Sequence, residues 1–165
     1  MLKTFRSALF LLAFAPALHA QAILPKANVF LGYSYNHFGA NGFHDNLNGW
    51  ELAGEGKVMP FLGIVGEYSS YYGSGKLHEQ NFLFGPRASV HFDRITPFAQ
   101  LLIGGSHVSA NLSSDTSFAT SVGGGVDWSL RGPLAWRSQF DYLHTSFFGG
   151  AQNNVRLTTG LVLRF

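Results

Sequence analysis

The chain has no cysteine. That excludes a disulfide framework, a thiolate zinc site, a haem-attachment motif, a cysteine nucleophile and a lipoprotein anchor. Charge is scarce as well: 12% of the 165 residues are Asp, Glu, Lys or Arg, about half the ~25% of an ordinary soluble domain. Eleven Lys and Arg stand against nine Asp and Glu, but Lys3 and Arg6 belong to the first twenty residues, so from Gln21 onward the count is nine against nine. No basic stripe marks a nucleic-acid surface. Beyond the first twenty residues no run reaches the ~18 apolar residues of a membrane helix, and no segment keeps a period of 3.6 without meeting glycine. Gly-x-Ser-x-Gly and His-Glu-x-x-His are missing too. The run Gly123-Gly124-Gly125 opens no helix, so it is read as relief of crowding in a curved strand.

What is present is 46% hydrophobic and 15% aromatic, with twenty glycines and sixteen phenylalanines. The N-terminus reads as a secretory signal: Lys3 and Arg6, then an apolar run from Ala8 to Ala15, then small residues that permit cleavage after Ala17, Ala20 or Ala22. The apolar run is too short to span a bilayer. The expected organisation is a signal peptide over 1–20 and one domain over 21–165, exported without a cofactor.

In that domain the persistent period is two. Eight segments follow it: 28–38, 48–58, 61–72, 81–92, 95–107, 117–129, 134–145 and 154–165. All exceed the five or six residues usual in soluble strands and are long enough for the ~9–11 of a tilted membrane strand. Their connections, 9, 2, 8, 2, 9, 4 and 8 residues long, alternate between long and short. This predicts an all-β fold, an eight-stranded antiparallel up-and-down transmembrane barrel. Short turns and both termini would lie on the periplasmic side, with long loops at 39–47, 73–80, 108–116 and 146–153 outside.

The faces sharpen the reading. One parity carries the large apolar groups, for example Val29, Leu31, Tyr33 and Tyr35 in the first segment and Val155, Leu157, Leu161, Leu163 and Phe165 in the last. It carries no charge. The ten charges inside segments, Glu51, Glu55, Lys57, Glu67, Arg87, Asp127, Arg137, Asp141, Arg156 and Arg164, all fall on the opposite parity. A lipid-facing ion costs a few kcal/mol at mid-depth, so the charge-free face is the lipid face. A soluble carrier of the lipocalin type would need the inverse. Phe30, Val65, Phe98, Leu102 and Val162 share the charged parity, so the interior is mixed.

An eight-stranded barrel is just wide enough for side chains to fill it. Five acids and five bases there are expected to pair into a plug with no continuous channel, because an unpaired buried ion costs several kcal/mol. The alternative use of such groups is a narrow gated pore. Tyr33, Tyr35, Tyr68, Tyr72, Trp50, Trp128 and Trp136 sit toward segment ends on the lipid face, as interfacial girdles do. His37, His44, His78, His107 and His144 fall near the outer rim and His91 at the opposite end, but no two have a short ligand spacing, so no metal site is expected.

The stretches Ser121–Trp128, Ala135–Gly150 and Asn153–Phe165, with Phe84-Gly85-Pro86-Arg87 and Pro97-Phe98-Ala99, resemble the OmpA-like small outer-membrane β-barrel proteins, in particular the single-domain, acidobacterial-like type. The resemblance implies a monomer in outer-membrane lipid and lipopolysaccharide, without catalytic residues, acting in adhesion or envelope integrity. It implies that Leu161, Leu163 and Phe165 form the signal read by the barrel-assembly machinery after delivery by periplasmic chaperones. The sequence stops at Phe165, so no peptidoglycan tether is expected, and Pro86 inside a segment suggests a bulge. Against the lipid A deacylases of similar shape the likeness is confined to His144-Thr145-Ser146. No acid follows Asp141, and Asp141 and His144 lie on opposite parities, so a hydrolase is not expected.

Overall fold

The computed structural model describes residues 26–40, 43–73, 78–110, 113–147 and 150–165. The first twenty residues, and with them the expected signal peptide, lie outside that description. The described chain forms eight strands: β1 Ala27–Ala40, β2 Phe43–Met59, β3 Leu62–Tyr72, β4 His78–Ser89, β5 Ile95–Ala110, β6 Ser113–Ser129, β7 Leu134–Phe147 and β8 Gly150–Arg164. Each pairs antiparallel with the next, and β8 pairs with β1, so the sheet closes into an up-and-down barrel. Closure leaves no edge strand, the condition under which a sheet can cross a membrane.

Following the residues that stand opposite one another on adjacent strands once around from Phe98 leads through Gly125, Gln139, Thr158, Ser34, Gly49, Tyr71 and Glu79 to Val108, ten residues further along β5. With ~3.4 Å per residue along a strand and ~4.8 Å between strands, that stagger tilts the strands by about 40°.

The two faces divide as the parity predicts. Phe118, Phe82 and Leu31 are 65%, 62% and 58% exposed, and the other large apolar groups of that face, from Val29 to Leu163, form a continuous outer belt. Inside, Phe30, Ala53, Val65, Leu83, Leu102, Ala119, Ala135, Leu143 and Val162 form the apolar cluster. No charged side chain of a described strand lies on the belt.

The strand ends differ from expectation. β1–β2 pairing continues to Ala40↔Phe43, β5–β6 to Ala110↔Ser113 and β7–β8 to Phe147↔Gly150, so most of 39–47, 108–116 and 146–153 is strand, as is 78–80. Polar side chains on both faces mark the part of a hairpin that stands in water; they do not interrupt its backbone ladder. At the near end, which holds Lys26, the turns and Phe165, β4 stops at Ser89 instead of continuing to 92. Phe92 and Ile95 exchange backbone hydrogen bonds of 2.8 and 2.7 Å around Asp93, whose φ is 47°.

The expected bulge at Pro86 is absent. Ile64 pairs with Pro86 in an unbroken β3–β4 register. Toward β5 the ladder lapses after Phe84↔Ile103 and resumes at Arg87↔Gln100 in the same register. Proline removes one donor without adding a residue, and a missing donor need not shift the pairing. The irregularity lies instead between Lys57 and Met59.

Candidate functional site

All ten charged residues singled out from the sequence point into the barrel. Eight are buried, while Lys57 and Arg164 are part-exposed at the near end, with side chains 13% and 23% accessible. Two clusters stand there. Arg137 grips Asp127 with both sides of its fork, Nε to Oδ1 at 2.7 Å and Nη2 to Oδ2 at 2.9 Å, and Arg164 reaches the same carboxylate at 3.4 Å. Arg87 pairs with Glu55 at 3.3 Å, and Lys57 pairs with it at 2.7 Å. The Arg87 and Arg137 guanidinium carbons lie 4.5 and 4.6 Å from the Phe98 ring centroid, and Arg137 lies 5.0 Å from that of Phe30. The aromatic groups on the inner parity therefore act as seats for the arginines.

Two glutamines connect this layer to the next. Gln100 accepts from Arg87 Nε and Nη2 at 2.9 and 2.5 Å and donates to Asp141 Oδ1 at 2.9 Å. Gln139 donates to Asp141 Oδ2 at 2.7 Å and to Glu51 at 3.4 Å. Above them Arg156 meets three carboxylates, Glu67 at 2.5 Å, Asp141 at 3.0 Å and Glu51 at 3.8 Å. Thr158 donates to Glu51 at 3.1 Å. The Ser34 hydroxyl bonds Tyr71 at 2.9 Å and Thr158 at 2.8 Å. Leu47, Tyr71, Ala119 and Leu143, all at 0% exposure, fill the far half around and beyond this layer.

Two features escaped the sequence reading. Glu79 is also inside, 1% exposed and accepting from Asn81 at 3.0 Å; it precedes the alternating segment 81–92. The balance of charge is also not local. The near half holds Lys57, Arg87, Arg137 and Arg164 against Glu55 and Asp127, four minus two. The far half holds Arg156 against Glu51, Glu67, Glu79 and Asp141, one minus four. A signal existed in the sequence, since every near-half base lies within a few positions of a short turn or of the last strand's end.

The expected plug describes only the far half. The near half opens into a cavity of about 790 Å³, lined by the near-half clusters, Phe98, and Lys26 and His91 at the mouth. His91, exposed in the turn after β4, is held below its usual imidazole range by partial burial and then by the positive charges of Arg164, Lys57 and Lys26.

At the far end four histidines, His37, His78, His107 and His144, face outward, and each is bonded across its own hairpin. His37 Nδ1 lies 3.0 Å from Asn46, His107 Nδ1 2.8 Å from Thr116, His144 Nδ1 2.7 Å from Asn153, and His78 Nε2 3.0 Å from Ser70, with its ring stacked on Tyr72 at 4.8 Å. This is a regular strand-pairing motif. Among the described residues no three His, Cys, Asp or Glu gather as a metal site. The side chains of His44 and Ser146 lie outside the description. His144 is bonded to an amide, and Asp141 is buried on the opposite face, so the two do not form the acid–imidazole pair of a triad.

Neither a protein-family model nor a curated protein matches the sequence. Solved structures do match in shape. Neisserial surface protein A superposes with a TM-score of 0.74 at 11% identity, over 84% of this chain and 97% of that one. The attachment invasion locus protein of Yersinia pestis gives 0.62 at 15% identity, over 87% and 100%. The N-terminal barrel of Pseudomonas aeruginosa OprF gives 0.61 at 8% identity, over 87% and 100%. At such identities the likeness is one of fold, and the fold is that of the small outer-membrane β-barrels.

Proposed function

We propose that this chain is a monomeric integral outer-membrane protein, an OmpA-like barrel of the acidobacterial-like type. Its four far-end hairpins act outside the cell in adhesion or envelope integrity, and it has no catalytic centre. The observation that carries this reading is the far-half interior. Arg156 tied to three carboxylates beneath buried Leu47, Tyr71 and Leu143 suits a closed support for surface structures better than a conduit. The names of two proteins of this shape, a surface protein and an attachment invasion locus protein, lend support.

The membrane partners follow from the outer belt: outer-membrane lipid, and lipopolysaccharide against the tyrosines and tryptophan near the far end. For assembly, the outward positions Leu161, Leu163 and Phe165, the last 71% exposed, offer the alternating apolar strand that the barrel-assembly machinery and its chaperones would read.

The test is fractionation of cells producing the full-length protein, followed by gel mobility with and without boiling in detergent. An outer-membrane band that shifts on boiling is expected. A soluble product with no shift would overturn the reading. A second reading, a narrow gated pore, draws on the near-end cavity and is taken up below.

A further inference from the structure

We propose that the near-end cavity is a binding site for a phosphoryl-bearing anion, a site that does not depend on the surface role proposed above. Its lining carries five basic side chains, Lys26, Lys57, Arg87, Arg137 and Arg164, against the two side-chain carboxylates Glu55 and Asp127, an excess of three positive charges among the side chains. Each carboxylate is already shared by two cations. Arg137 commits Nε and Nη2 to Asp127, which leaves Nη1 without an acceptor among the described residues. Basic groups held in a recess with apolar walls focus their field on the space between them.

Three features select the ligand class. A surplus above two matches a dianion. The cations exposed enough to reach the oxygens of a phosphoryl group are Lys26, Lys57 and Arg164 at the mouth, and charge-assisted hydrogen bonds from such groups to phosphate are strong. The volume of about 790 Å³ falls within the ~300–1,000 Å³ of small-molecule sites and exceeds what a bare ion fills. Phe98, Val58, Met59 and Phe165 supply apolar wall for an organic group attached to the phosphate. Val58 and Phe165 are 63% and 71% exposed, so the cavity mouth meets the outer belt. A lipid headgroup bending over the rim and a soluble phosphate compound thus present the same chemistry to the same cations.

The experiment uses the folded protein in octyl glucoside, a detergent without phosphate. Inorganic phosphate and dihexanoylphosphatidic acid are titrated separately, read by phosphorus NMR and by the His91 ring resonances. Saturable binding of at least one probe is expected, with His91 moving. The pair Lys57→Gln with Arg164→Gln is expected to weaken it by about tenfold or more, the factor that ~1.4 kcal/mol represents, and His107→Gln at the other end to leave it unchanged. Lys57 and Arg164 are the part-exposed members, so their loss spares the buried Arg87–Glu55 and Arg137–Asp127 pairs. If the double variant does not fold, Lys26→Gln at the exposed mouth is expected to weaken binding in the same direction. Tighter binding of the phosphatidic acid would assign the site to a headgroup, and equal or tighter binding of inorganic phosphate to a soluble compound. No saturation by either probe, or equal loss in His107→Gln, would overturn the proposal.

Discussion

Arg156 is the side chain on which most of the far-half interior converges. It is fully buried, and its guanidinium meets Glu67, Asp141 and Glu51. Burying ions is costly, and removing one partner leaves the rest uncompensated, at about 3–5 kcal/mol. Arg156→Met keeps the bulk and deletes the charge. It is expected to destabilise the barrel by about that amount, read as a shift in urea-induced unfolding in detergent. Lys57→Gln, at the part-exposed mouth, is expected to cost under ~1 kcal/mol. His91 gives a pH prediction. Its pKa is held below the usual ~6.5 by partial burial and by Arg164, Lys57 and Lys26. Between the depressed value and ~6.5 the unfolded chain binds a proton that the folded chain does not, so stability rises with pH across that window and is flat above it. Acidification through the window is therefore expected to weaken the fold slightly, and His91→Gln to remove that slope. Arg164→Gln is expected to move the His91 titration, followed by NMR, back upward.

At the scale of strands, close backbone approach decides where glycine is required. A Cβ built on Gly104 in β5 would lie 2.0 Å from the Phe82 carbonyl oxygen of β4, whereas one on Gly54 in β2 meets nothing within 4 Å. Gly104→Ala is expected to cost about 1–3 kcal/mol through forced backbone movement. Gly54→Ala is expected to stay within ~0.5 kcal/mol, and paired unfolding curves check the contrast. The strands themselves were legible because charge and lipid cannot share a face. Glu51, Glu67, Arg87, Asp141 and Arg156 fixed the parity of five strands, and the parity fixed the inside. What resisted reading was where strands end in water, since His107 or Thr116 looks the same in a loop and in a standing hairpin. The charge split between the two halves was hidden as well. It depends on depth, which tilt and stagger set, and a count over a face discards depth. Pro86 misled because a lost donor and an inserted residue give the same warning in a sequence.

At the scale of the whole barrel, the question is whether the near-end cavity continues to the far end. A path would have to pass the layer where Arg156 is bound to three carboxylates, and then Leu47, Tyr71 and Leu143, all without solvent exposure. Opening it means separating several buried ion pairs at once, and the closed sheet from β1 to β8 allows no strand to swing aside. The folded protein in planar bilayers is therefore expected to show no step-like conductance. Arg137→Ala supplies the sharper comparison, because Arg137 lines the cavity but stands below the sealing layer. Its removal widens the near end without unblocking the far end, so the variant is expected to remain silent too. Steps of reproducible size in the parent protein that change with Arg137→Ala would make the cavity the entrance of a gated pore, and the sealed far half would then be one state of a switch.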